Sequence, residues 1–128
     1  MNGQPAYHPG VCNIGDDETR LRRNLGWAGF AAALLFAAPV IFCGLPRGVR
    51  LFVAIPVFIA ALGFIQAKMH FCAYFGLRSL VNFRDAGATP EAIWEERLRA
   101  LDRRQAWRII GYAAAVTAAV TAVLWLLP

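Results

Sequence analysis

The sequence predicts an all-α integral membrane protein with three transmembrane helices plus an amphipathic cytoplasmic helix continuing toward the third. Three observations predict it. Of the 128 residues, 59% are hydrophobic and only 16% are charged, well below the roughly 25% usual in soluble domains. The charges cluster, leaving residues 24–46, 51–67 and 109–128 without any. About 20 residues rising 1.5 Å each cross a hydrocarbon core about 30 Å thick, so each stretch supplies a span, the middle one with its apolar continuation past Lys68. Finally, Lys and Arg are distributed unequally. Eleven lie in the N-terminal segment and between the second and third stretches, and only Arg47 and Arg50 lie between the first and second. This asymmetry predicts a multi-pass membrane protein with the N-terminus cytoplasmic and the C-terminus on the outer side.

Residues 1–15 hold Gly3, Gly10 and Gly15 with Pro5 and Pro9, which predicts an irregular cytoplasmic tail ahead of a single three-helix domain over 16–128. Polar and charged residues fill the chain up to Arg23. A secretory signal would place a basic region and a short apolar stretch first, so the N-terminus is expected to be retained, and no hydrophobic segment precedes Cys12 to make it a lipoprotein cysteine. Asp16 and Asp17 are expected to cap a helix that runs into the first span, residues 26–45.

That span carries Gly29, Ala33 and Ala37 at a four-residue spacing suited to close helix approach, and Pro39 as an expected kink. Gly44-Leu45-Pro46-Arg47-Gly48 reads as a tight hairpin. The second span, residues 51–75, carries Gly63 and Ala67 on one face, and Gln66 as an intramembrane polar residue expected to hydrogen-bond across helices. Phe71, Tyr74, Phe75 and Leu77 then suit an interface. Residues 82–88, containing Gly87, read as a turn.

Thr89-Pro90-Glu91 is a helix-start signature. It predicts the cytoplasmic helix at 90–105, with Trp94, Leu98 and Leu101 on one face and Glu95 paired with Arg99. No breaker separates it from the third span, 108–127, whose Gly111, Ala115 and Ala118 form another small-residue face. Thr117 and Thr121 can bond to their own backbone.

The tail and the exit of the second span lie on the same side in this topology. His8, Cys12, His70 and Cys72 are thus the candidate ligands for a zinc ion, and the stretch from Gln66 to Asn82 is expected to form a platform for the Cys12 tail. Cytoplasmic reduction argues against a Cys12–Cys72 disulfide. Cys43 reads as a small buried residue. No carboxylate falls within a span, and no phosphate loop or catalytic set is recognisable. The net charge of +5 reads as a topology signal with affinity for anionic headgroups rather than for nucleic acid.

Cys12-Asn13-Ile14-Gly15, followed by Glu18 and Arg22-Arg23, and later Gly63-Phe64, Gln66-Ala67, Cys72 and Asn82, resemble the pattern of an uncharacterised family of small bacterial three-span membrane proteins. The resemblance implies a recurring pairing of the tail motif with the exit of the second span; Ser79 departs from the glycine it would place there.

The expected function is that of a non-catalytic accessory or scaffold subunit, packed against lipids and other integral membrane subunits or against itself through Gly29, Ala33, Gly63, Ala67, Gly111, Ala115 and Ala118. The alternatives are a cytoplasmic-face thiol redox or metal-binding protein using Cys12 and Cys72, and a small homo-oligomeric channel lined by Gln66, Thr117 and Thr121.

Overall fold

The computed structural model describes residues 7–85 and 88–127. The part of the predicted tail at 1–6, Ala86 and Gly87 of the predicted turn, and Pro128 lie outside the described residues. Three helical segments are long and apolar enough to cross a membrane: Asp16–Cys43, Arg47–Met69 and Glu96–Leu126.

Helix α1, Asp16–Cys43, begins one residue earlier than the expected aspartate caps. Gly15 is its N-cap, while Asp16, Asp17 and Glu18 occupy the first turn. Their charges there complement the positive end of the helix dipole. Pro39 is accommodated inside the helix, which ends at left-handed Gly44 (φ +62°). A short α2, Arg47–Arg50, and a 3-10 turn, Leu51–Val53, lead into α3, Ala54–Met69.

The second apolar segment does not run on to residue 75 as one helix. His70 adopts a left-handed conformation (φ +52°). The Phe71 N–H then returns to the Gln66 carbonyl at 3.1 Å and the His70 N–H to that of Ala67 at 3.4 Å. These two bonds satisfy carbonyls that a helix end leaves free, which terminates α3 in the Schellman manner. Phe71, fully buried, folds back among Leu62, Ile65, Met69, Ala73, Ala106 and Ile109. Burying that ring contributes about 2–3 kcal/mol. Continuous apolar composition hid this break because the residues after it are buried by protein.

Helix α4, Ala73–Arg78, packs on the last long helix and ends at Ser79. Ser79 is left-handed (φ +59°), the conformation for which glycine is the usual choice. Its hydroxyl accepts a bond from Arg99 Nε at 3.1 Å. Strand β1, Leu80–Val81, pairs antiparallel with β2, Glu91–Ala92, placing Leu80 opposite Ala92.

This ribbon corrects the expected start of the helix at residue 90. The chain after Pro90 is extended, and α5 spans Glu96–Leu126 without interruption. Trp94 therefore stands outside the helix, 84% exposed. The expected Glu95–Arg99 pair gives way to Arg97–Glu95 at 3.6 Å and Arg103–Glu96 at 2.9 Å. From Glu96 onward, the expected extra-membrane helix and third span are one rod.

Helix α3 is central, with α1 along one side and α5 along the other. Its contact with α1 is backbone on backbone. A Cβ at Gly63 would stand 2.5 Å from the Gly26 nitrogen and 2.7 Å from the Arg22 carbonyl, and one at Gly29 would stand 2.6 Å from the Ala60 nitrogen. Such proximity multiplies dispersion contacts, the main attraction available between helices in lipid. Near the hairpin, Val40, Val53, Val57 and Leu124 form a shared apolar cluster. Arg50, only 5% exposed, closes that end by donating to the carbonyls of Leu45, Leu124 and Leu127 at 3.0, 2.9 and 2.7 Å.

Candidate functional site

The end of the bundle opposite the hairpin holds a buried polar knot. Its first component is the tail segment from Tyr7 to Gly15. His8 and Cys12 close a small turn, with the Val11 and Cys12 N–H groups donating to the His8 carbonyl. The chain then runs extended and forms a parallel bridge between Ile14 and Asn82. The Asn82 N–H donates to the Asn13 carbonyl at 3.0 Å, and the Gly15 N–H to that of Asn82 at 2.9 Å.

Beneath this bridge, the break after α3 exposes backbone groups that need partners. The Asn13 side chain serves two of them, the Cys72 carbonyl being shared with the Gly76 N–H. Its Oδ1 accepts the Cys72 N–H at 2.8 Å, and its Nδ2 donates to the Cys72 carbonyl at 3.2 Å. Gln66 supplies a third, its Oε1 accepting the Ala73 N–H at 2.7 Å. The expected partner on another helix is thus replaced by one across the break, because the helix end places an orphan donor within the amide's reach.

Charge enters through α1. Arg22 and Glu18 form an ion pair at 3.1 Å, with side chains 13% and 3% exposed. Asn82 Nδ2 donates to the other Glu18 oxygen at 3.1 Å. Arg22 also donates to Cys72 Sγ at 3.1 Å and lies over the Phe75 ring at 5.8 Å from its centroid. The Thr19 hydroxyl gives its proton to the Gly15 carbonyl at 2.8 Å. His70 Nδ1 lies 3.1 Å from the same hydroxyl, whose proton is already given to Gly15, so the hydroxyl oxygen is placed to accept from the ring.

The four candidate zinc ligands occupy different settings. His8 is exposed, while His70 bonds Thr19. Cys12 and Cys72 are both buried free thiols. Cys12 donates to the Ile14 carbonyl at 3.6 Å, whereas Cys72 faces Arg22. Burial pushes the Cys12 thiol above its ordinary range, which keeps it protonated. Among the described residues, no three His, Cys, Asp or Glu side chains gather in a way that could hold a metal ion.

A second buried anchor lies beside the knot. Asp102 on α5 is fully buried, taking the Tyr7 hydroxyl at 2.8 Å and the Gly10 N–H at 2.7 Å. Composition gave no signal for it, since one aspartate in a basic amphipathic stretch reads as a solvated charge. Asn13, Glu18, Arg22, Gln66, Cys72 and Asn82, by contrast, all belong to the motif positions noted in the sequence, and the fold gathers them here.

The predicted packing residues divide. Gly29, Gly63 and Ala67 are buried within the chain, and Ala33 packs on the hairpin-end cluster. Gly111, Ala115 and Ala118 are exposed, and nothing lies within 4 Å of where a Gly111 Cβ would be. Of the two hydroxyls on α5, Thr117 bonds the Ala113 carbonyl at 2.8 Å, while Thr121 has no partner among the described residues. Cys43, in the last turn of α1, is exposed rather than buried.

No family model, curated protein or solved structure matches this chain.

Proposed function

We propose that this protein is a non-catalytic accessory or scaffold subunit of a larger membrane assembly, formed with other integral membrane proteins or with further copies of itself. The observation that carries this reading is the outward face of α5. Gly111, Ala115 and Ala118 recur there at helical spacing, exposed and unused by α3. Small residues bury little area against lipid chains but let another helix approach closely, so such a face is worth more against protein. An apolar cavity of about 460 Å³ between α1 and α5, lined by Phe30, Ala33, Val57, Phe64, Val116 and Val120, adds a concave surface beside it.

In this reading the three long helices cross the bacterial inner membrane with the tail in the cytoplasm, in accord with the arginine distribution. The polar knot is then a rigid cytoplasmic cap that fixes the spacing of the spans. Extraction in a mild detergent followed by size determination and identification of co-purifying proteins tests the proposal. A larger assembly is expected, and Ala115→Leu with Ala118→Leu should dissociate it while leaving the folded chain intact. A homogeneous monomer with no co-purifying protein would defeat it.

A further inference from the structure

The tail turn and α5 flank an open pocket of about 250 Å³ with a mixed polar and apolar lining, bounded by Pro9, Gly10 and Val11 on one side and by Leu101, Arg104, Gln105 and Arg108 on the other. The tail side of this pocket is fastened in place. Gly10 is left-handed (φ +71°), and a Cβ there would meet the Leu101 backbone oxygen at 3.3 Å. Its N–H is committed to Asp102. The turn is thereby held against the helix.

The cavity's chemistry is that of an anion receptor. Arg104 and Arg108 are four residues apart, so they share a face of α5 with their backbones about 6 Å apart along its axis. Both are exposed, and neither forms an ion pair among the described residues. The nearest carboxylate on the helix, Asp102, is already occupied by Tyr7 and Gly10. Between the arginines, Gln105 is only 8% exposed. Gln105 lines the pocket between them.

Position selects the ligand. Arg108 is the last charged residue before the charge-free stretch at 109–128, and its neighbour Trp107 is 62% exposed. An arginine and a tryptophan at the end of an apolar helix mark the level of lipid headgroups. Guanidinium groups recognise phosphate oxygens through paired N–H donors. We infer that this cavity binds the phosphate of an anionic phospholipid, with Arg104 and Arg108 holding the oxyanion and the Gln105 amide donating to it. The site depends on α5 crossing the membrane but not on the chain's having a protein partner.

Thermal melts and native mass spectrometry of the full chain in a neutral detergent test this, with phosphatidylglycerol, phosphatidylcholine and inorganic phosphate as probes. Phosphatidylglycerol should stabilise the protein and remain bound as adducts, whereas phosphatidylcholine should do neither. Each of R104Q and R108Q should weaken phosphatidylglycerol binding roughly fivefold, and Q105L should weaken it as well. The R104Q/R108Q double variant should weaken it further, and the exposed R20Q/R23Q pair on α1, its charge-matched control, should leave binding unchanged. Unliganded melts of the arginine variants should match the parent, since the two side chains support no contact. Equal weakening by both arginine pairs, or equal binding of phosphatidylcholine, would overturn the site. Inorganic phosphate reproducing the same arginine-dependent stabilisation would overturn the lipid and assign the site to free phosphate.

Discussion

The side chain of Asn13 pairs with the backbone of Cys72 as another strand would, accepting its N–H at 2.8 Å and donating to its carbonyl at 3.2 Å. Only a carboxamide of this length offers both functions at once. Replacing it by aspartate removes the donor, and replacing it by alanine removes both. Asn13→Ala should lower stability by about 1–3 kcal/mol, as the buried Cys72 N–H loses its partner and its carbonyl keeps only the Gly76 N–H. Asn13→Asp should cost a comparable amount, although it differs by only one functional group. Thermal or denaturant unfolding of the purified variants measures both, and a melting temperature unchanged in either would show that the tail does not hold the break.

The Glu18–Arg22 pair is nearly dehydrated, so each charge depends on the other. Removing one partner from such a pair leaves an uncompensated charge at a cost of about 3–5 kcal/mol. Glu18→Gln and Arg22→Gln should each destabilise on that scale. The double variant should cost clearly less than the sum of the two, because neither charge is then left alone. A double-mutant cycle from unfolding curves gives the coupling, and simple additivity would contradict the pairing.

Two glycines of similar sequence setting should respond in opposite directions. A methyl group at Gly63 meets backbone atoms of α1 at 2.5–2.8 Å, which cannot move aside as a flexible side chain could. Gly63→Ala should therefore separate α1 from α3, with a loss of at least ~2 kcal/mol. At Gly111, where nothing lies within 4 Å, alanine should stabilise the isolated chain by about 0.5–1 kcal/mol through helix propensity alone. Melting temperatures of the two variants in the same detergent make the comparison.

Tyr7 should make the tail's docking sensitive to alkali. Burial, together with the hydrogen bond to Asp102 and the charge of that carboxylate, raises the phenol above its ordinary range. The folded state therefore holds the Tyr7 proton more tightly than the unfolded state. Its contribution is complete below the unfolded value of about 10 and is lost as pH rises beyond that. Protection of the tail from limited proteolysis should fall above that pH in the parent. Tyr7→Phe should show weaker protection at neutral pH and a shallower alkaline decline.

The sequence by itself determined the three long helices, the hairpin at Gly44 and the uneven placement of arginine. Each of these is a property of contiguous residues. A charge-free run long enough to cross a bilayer satisfies all its backbone groups only as a helix or within a closed barrel, and that constraint acts locally. The tertiary structure alone decided where the second apolar run stops and what the polar residues do. His70 and Ser79 turn left-handed where α3 and α4 end and their N–H groups bond back to helix carbonyls, and hydrophobicity carries no trace of it. Asn13 and Cys72 are 59 positions apart, and Tyr7 and Asp102 are 95 apart. A hydrogen bond over such a separation depends on how helices pack, which no local pattern encodes. The start of the fourth predicted element shifted for the same reason: Thr89-Pro90-Glu91 has the chemistry of a helix start, but Glu91 and Ala92 are paired with Val81 and Leu80. Long-range pairing prevailed over local preference there, and α5 began only at Glu96, once the ribbon was complete.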